Sequence, residues 1–310
     1  MAQLVKLSDY ISRYEIDLYR YTSRYTRLKK ERWENAKREW IRSKEGNHTT
    51  SIPTNNILDQ SLKGRFRKLP WFTKKKEENL EANGNLQREI KNKSEEAFKE
   101  SFKEEIFQFQ LNWASSTISE KSRIKPQFKF DHWLTLLTKD FPDSYILFYK
   151  PVLILKKAPV DLEVILVTPT ELWLIAPLEG DESTIYDEVS DRFWLKRTND
   201  REEKILHPAI QLKRMRTVAE HLLLQEELSF PIRTVIIAKD GYIDVPQASQ
   251  RIKMLDKRTF PEWFEKMRQN RTPMKHQQLK VSDALLKHSL TVSEVRGESL
   301  DEENDTTSFK

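Results

Sequence analysis

The stretch from Glu163 to Gly180, EVILVTPTELWLIAPLEG, constrains the fold more than any other part of the chain. Two apolar runs, VILV and LWLIA, flank Thr168-Pro169-Thr170, a turn-forming break, so the segment predicts a buried antiparallel hairpin. Glu163 opens its first strand, and Ala176 and Leu178 stand at the end of its second.

Other elements arrange themselves around this hairpin. Asp131 to Lys139 reads as a short helix and Tyr145 to Leu155 as a strand, with FWLK inside Arg192 to Lys196 as a candidate further strand. His207 to Leu228 predicts a long helix that buries Ile210, Met215, Val218, Leu222 and Leu223, with Pro208 suited to its first turn. IRTVIIA, from Ile232 to Ala238, is a β-branched run typical of a buried strand. Phe260 to Met267 and Val281 to Leu290 look helical. Toward the N-terminus, Tyr10, Tyr14, Leu18, Tyr21, Tyr25 and Leu28 recur every three or four residues, which predicts one or two aromatic-striped helices between Leu7 and Trp40. Phe98, Phe102, Ile106, Phe109 and Trp113 predict another amphipathic helix over about 94–114. The resulting division is a basic, aromatic helical segment over 1–41, a polar linker over 42–93, an amphipathic helix and connection over 94–127, an α/β domain over 128–290 and an acidic tail over 291–310.

Composition narrows the chemistry. One third of the 310 residues are charged and mean hydropathy is −0.73, so a sizeable part of the chain is expected outside any core. There are no cysteines, which removes disulfides, thiolate metal sites and cysteine nucleophiles. The six histidines show no zinc-site spacing, and no phosphate-binding glycine loop, dinucleotide fingerprint or Gly-x-Ser-x-Gly elbow is present. No apolar run approaches a membrane span and the first residues lack secretory character, so a cytoplasmic, bacterial-type protein with no membrane partner is expected.

The net charge of +6 is unevenly placed: residues 1–130 hold 28 Lys and Arg against 18 Asp and Glu, whereas the last thirty residues are net acidic. Arg24, Arg27, Lys29 and Lys30 alternate with Tyr25, and Arg65, Arg67 and Lys68 with Phe66 and Trp71. Cations neutralise phosphates and flat rings stack on bases at about 1–3 kcal/mol each, so DNA or RNA is an expected partner. The competing expectation is a solvated helix face whose Tyr and Trp pack inward, docking a protein partner or the main domain.

From about Phe130 to Leu290 the chain resembles the nuclease-related domain (NERD) family, whose fold is restriction-endonuclease-like: a central mixed sheet flanked by helices. Glu163 takes the family's first acidic position, Pro169 the turn proline and Ile175 the strand isoleucine. His207-Pro208-Ala209-Ile210-Gln211 matches the family's Asn-Pro-x-x-Gln helix start, with His in place of Asn. Ala176 and Leu178 fall where the resemblance places a second carboxylate and a lysine. The order helix, meander, helix, strand is that of an endonuclease-like sheet.

A Mg²⁺-dependent nuclease needs about two carboxylates on a hard cation and usually a lysine beside the attacking water. Glu163 supplies one carboxylate. Asp161 would join it as a metal ligand if the strand extends back that far, and Glu179 falls on the opposite face unless Pro177 re-aims it. Lys213 and Arg214 are candidate replacement cations, also able to contact nucleic acid, and Gln211 is a candidate site amide. The plain alternatives are an exposed strand-end carboxylate for Glu163 and an ordinary helix-surface amide for Gln211. The expectation is a catalytically degenerate, non-enzymatic protein that binds nucleic acid or serves assembly, with no cofactor. The alternatives are an active nuclease using Mg²⁺ or Mn²⁺ through migrated ligands, and a protein-protein scaffold working through the N-terminal helices.

Overall fold

The computed structural model describes residues 1–44, 94–199, 201–245 and 252–296. The chain divides into two compact units, Met1–Thr26 with Glu105–Lys310, and Arg27–Glu104. Arg65, Arg67 and Lys68, most of the expected linker and most of the acidic tail lie outside the described residues.

The first unit is mixed α/β and is organised by a six-stranded sheet. Its strands are β1 (Gln3–Leu7), β3 (Ile146–Tyr149), β6 (Val164–Val167), β7 (Leu172–Pro177), β11 (Ile232–Ala238) and β13 (Lys253–Asp256), hydrogen-bonded in that order. The expected hairpin is β6 and β7, antiparallel, with Val164 opposite Ile175 and Val167 opposite Leu172. Thr168 closes the turn: its backbone N–H and its hydroxyl both donate to the Glu171 carbonyl, each at 2.9 Å. Strand β3 is antiparallel to β6 and parallel to β1, while β11 is parallel to β7 and to β13. Only β6 therefore runs against the rest of the sheet. The carboxyl ends of β3, β7 and β11 share one edge with the amino end of β6, where Glu163 lies.

Both faces are covered, which is why VILV and LWLIA are continuously apolar rather than alternating. On one face Tyr149, Val164, Ile175 and Ile237 belong to a core with Trp133, Leu134 and Leu137 of helix α4 (His132–Asp140) and Phe260, Trp263 and Met267 of helix α6 (Phe260–Arg268). Helices α5 (Pro208–Gln225) and α7 (His276–Lys287) pack together, α5 on β7 and β11, α7 on β6. Met215, Val218, Leu222 and Leu223 of α5 are buried as expected and Leu212 joins them, but Ile210 is exposed.

Two expectations need correction. The segment Leu7–Ile16 is not α-helical: Gln3–Leu7 is β1, fully buried, and a short 3-10 turn at Arg13–Glu15 precedes helix α1 (Leu18–Lys44). Lys6 is buried in that strand because its ammonium donates to Glu15 Oε1 at 2.7 Å and to the Thr291 hydroxyl at 2.6 Å, while burial pulls its pKa down against the Glu15 charge. The run Tyr145–Leu155 is two strands, β3 and β4 (Val152–Leu155), broken at Lys150-Pro151, where Lys150 has φ 49°. Strand β4 pairs instead with β5 (Ala158–Asp161). FWLK does lie in a strand, β9 (Phe193–Arg197), but within a second sheet of order β10 (Glu202–Leu206), β9, β8 (Ile185–Ser190), β12 (Tyr242–Asp244).

The N-terminal rings pack inward. In the first unit Tyr14, Tyr21 and Tyr25 surround Trp113 of helix α2 (Glu95–Trp113), with centroid distances of 5.4–6.5 Å, and the short strand β2 (Glu120–Lys121) and helix α3 (Gln127–Phe130) follow α2 along the chain. In the second unit Trp33 contacts Phe98 and Phe102, and Trp40 stacks on Phe98 at 5.1 Å. Arg27 and Lys30 pair along their own helix with Glu31 and Glu34, at 3.7 Å and 4.0 Å. No described helix is long and apolar enough to cross a membrane.

Candidate functional site

The break between β5 and β6 decides what sits beside Glu163. Leu162 donates its N–H to the Pro151 carbonyl, and Lys150 donates its own to the Glu163 carbonyl at 2.7 Å, so the chain changes partners there. Asp161 consequently belongs to the β4–β5 ribbon, opposite Val152, and not to an extension of β6. The condition for Asp161 as a strand-mate of Glu163 is unmet. Its backbone carbonyl instead accepts from Arg214 Nη2 at 2.9 Å.

Glu163 and Gln211 do meet. The Gln211 amide donates to Glu163 Oε1 at 2.7 Å, bridging the first turn of α5 to the start of β6. The match to a helix start explains how: His207 caps α5, its Nδ1 accepting the Ala209 N–H at 3.1 Å, and Pro208 occupies the first turn. An acceptor nitrogen on the ring thus does what an Asn carbonyl would do there. The other ring nitrogen lies 3.4 Å from Glu188 Oε1, and Trp194 packs on the imidazole at 5.0 Å. With Nδ1 accepting, the proton of the neutral ring belongs on Nε2, facing Glu188. Gln211 is held toward Glu163 from the helix that this cap fixes.

One residue beyond the Val164/Ile175 pair, the antiparallel register sets Ala176 across from Glu163, and Ala176 is 2 % exposed. No carboxylate comes from that position. Leu178 and Glu179, beyond it, line a cleft of about 660 Å³ together with Gln127, Phe130, Asp131, His132, Trp133, Lys150, Gly180, Lys239 and Asp240. None of these residues belongs to the N-terminal segment. Glu179, two residues past the end of β7, lines this cleft next to Leu178. Lys213 and Arg214 are exposed on α5 and are not among the cleft's residues.

Asp131 is the hub that the sequence did not reveal as a site residue. It caps α4 by accepting the Leu134 N–H at 3.0 Å, accepts the Tyr149 hydroxyl at 2.6 Å on the same oxygen, and its other oxygen lies 3.8 Å from Lys150 Nζ. Burial pushes the Tyr149 hydroxyl well above its ordinary pKa, and the bond to Asp131 and the charges of Asp131, Glu163 and Glu179 push the same way. Tyr149 is therefore a protonated donor tying the end of β3 to the start of α4. Just past the end of β11, Lys239 pairs with Asp240, and its ammonium is 5.9 Å from the Trp133 ring. The readable signal was local: an Asp just before an apolar-periodic run is an N-cap. That the cap would also face Lys150 depends on pairing across the sheet, which spacing does not encode.

Among the described residues, no group of three or more Asp, Glu or His side chains is placed to hold a metal ion. No protein-family profile matches the chain, and no solved structure matches it significantly. A protein of Geobacillus stearothermophilus named RNA 2′,3′-cyclic phosphodiesterase is 40 % identical over 78 residues, which cover 23 % of this chain and 25 % of that protein. The chain thus spans about a quarter of the length of the curated relative it matches.

Proposed function

We propose that this chain is a catalytically degenerate protein of the nuclease-related domain type, with a restriction-endonuclease-like core kept as a nucleic-acid-binding or assembly module. The observation that carries the proposal is the 2.7 Å contact between Gln211 and Glu163, made across from a buried Ala176. A glutamine in the first turn of the helix after the meander meets the acid that opens the central strand, as the resemblance implies. The chemistry that should complete the pair is an alanine methyl and a leucine side chain. A methyl group offers no lone pair to a hard cation, and a leucine no charge to a phosphate.

With the β4–β5 ribbon and the β8–β10 strands set aside as insertions, the order α4, β3, β6, β7, α5, β11 supports the same core, since it is helix, meander, helix, strand with both sheet faces covered. The partial likeness to a protein named for RNA 2′,3′-cyclic phosphodiesters puts RNA first among the nucleic acids to test. The deciding experiment is incubation of the full chain and Glu163→Ala with linear, nicked and single-stranded DNA and with RNA, each with Mg²⁺ or Mn²⁺. The expected result is binding without cleavage by either protein. Metal-dependent cutting that Glu163→Ala abolishes, with the fold intact, would make this an active nuclease and overturn the proposal.

A further inference from the structure

The crevice outside the carboxyl ends of strands is where open α/β sheets take their ligands, because loops from several strands converge there while helix termini supply dipoles. Here that crevice is the cleft between the ends of β3, β7 and β11 and the start of α4, and its volume of about 660 Å³ lies in the range of small-molecule sites.

Its side chains divide by chemistry. Lys150 and Lys239 bring two ammonium groups, each set beside one aspartate: Lys150 Nζ is 3.8 Å from Asp131 and Lys239 is paired with Asp240. An ammonium so placed has further N–H donors for an incoming oxyanion. Lys150 owes its position to a left-handed backbone, φ 49°, which ends β3 and turns the residue out of strand alternation. A non-glycine residue there carries strain that the surrounding structure holds in place, and such strain concentrates at ligand sites. Phe130, at the mouth, is 85 % exposed and offers a bare ring face. The Glu179 carboxylate makes no hydrogen bond or ion pair among the described residues, so it is a free acceptor. Three carboxylates against two ammoniums disfavour a bare anion and favour a ligand that is anionic at one end and carries hydroxyl or amino donors at the other. We infer that this cleft binds a phosphate-bearing nucleotide unit, with its phosphate on Lys150 and Lys239, its sugar hydroxyls facing Glu179 and its base against Phe130. The inference rests on the nucleic-acid reading above and names its ligand as either a free nucleotide or the phosphorylated end of a strand.

Calorimetric titration of the full chain tests it, using uridine 3′-monophosphate, uridine, inorganic phosphate, and a short RNA with and without a terminal phosphate. Charge-assisted hydrogen bonds of about 1.5–3 kcal/mol correspond to about tenfold or more in affinity. Lys150→Gln and Lys239→Gln should therefore each weaken the nucleotide at least about tenfold, and uridine or phosphate alone should bind at least about tenfold more weakly than the nucleotide. Lys150→Arg and Lys239→Arg should retain binding, and Lys287→Gln, on α7 and paired with Asp283, should not alter it. Stronger binding of the phosphorylated RNA than of the nucleotide identifies a strand end, and equal binding identifies a free nucleotide. RNA binding indifferent to Lys150 and Lys239 overturns the inference and leaves the proposed function standing. Nucleotide binding without RNA binding keeps the site and overturns the nucleic-acid role. Absence of both overturns the inference and, if DNA also fails to bind, leaves the proposed function only its assembly role.

Discussion

His207 is the residue at which resemblance and geometry answer each other most directly. With His in place of the Asn that the resemblance leads one to expect, the cap is still made, because Nδ1 accepts the Ala209 N–H at 3.1 Å. Replacing an N-cap acceptor by Ala typically costs about 1 kcal/mol, so His207→Ala should lower stability by about that amount, and His207→Asn should recover most of it. Urea unfolding of the three proteins measures this; equal losses in both variants would assign the role of His207 to Glu188 and Trp194 instead of to the cap. Asp256 makes a different kind of prediction. Burial pushes its carboxyl up, but hydrogen bonds from the Arg258 side chain and backbone N–H, with the Arg258 charge, outweigh that and hold it below the usual carboxylate range. A group depressed on folding contributes stability that is fully present above its unfolded value of about 3.9 and is lost as pH falls through its folded value. Thermal unfolding followed downward from pH 6 should show that loss, and Asp256→Asn should flatten it.

Elements follow the sequence where one signal dominates and depart from it where two compete. At the β4–β5 hairpin, Leu155 pairs with Ala158 across Lys156 and Lys157, whose φ angles are 49° and 71°. Two consecutive positive φ values in a two-residue loop are the pattern of a type I′ turn, which favours Asn-Gly. Lysine carries a left-handed penalty of roughly 1 kcal/mol per residue, so Lys156→Asn with Lys157→Gly should stabilise the chain by about 1 kcal/mol or more, read as a raised denaturation midpoint. The hairpin of β6 and β7, helices α2 and α5 and strand β11 were legible because their apolar periodicity is unopposed. Strand β1 was not: QLVKL contains a lysine, and its burial is secured by Glu15 and by Thr291, far along the chain. The aromatic spacing that follows it mimics a helix across Tyr10 and Tyr14, although the helix itself begins at Leu18. The second sheet was hidden for a related reason: IYDEVS is a half-exposed and EEKIL a largely exposed charge-rich strand, and their pairing comes from neighbours and not from their own alternation. Of the site, Glu163 and Gln211 were legible through the motif. Asp131, Lys150 and Lys239 converge only through the strand order.

At the scale of the molecule, the proposed function raises the question whether the site it reads as degenerate can be completed. If the sheet edge keeps the geometry of a metal-dependent nuclease, then Ala176→Glu and Leu178→Lys should together return the missing carboxylate and ammonium beside Glu163. The cost is predictable in sign. Ala176 is 2 % exposed, so a carboxylate there loses hydration, and the double variant should be less stable than the parent in metal-free buffer. Mg²⁺ or Mn²⁺ bridging Glu163 and the new glutamate would repay that loss, so the variant's melting temperature should rise with metal concentration while the parent's should not. Metal-dependent cleavage of DNA or RNA by the variant, lost again on Glu163→Ala, would show that only two side chains separate this edge from a working site. A variant that folds but gains neither metal stabilisation nor cleavage would mean that the 2.7 Å contact of Gln211 with Glu163 is a structural tie alone. Salt dependence separates binding from assembly in the parent protein: a slope of log K against log salt of about −0.7 per phosphate contact is expected for single-stranded RNA, and a slope near zero would leave the chain without phosphate contacts and point to a protein partner.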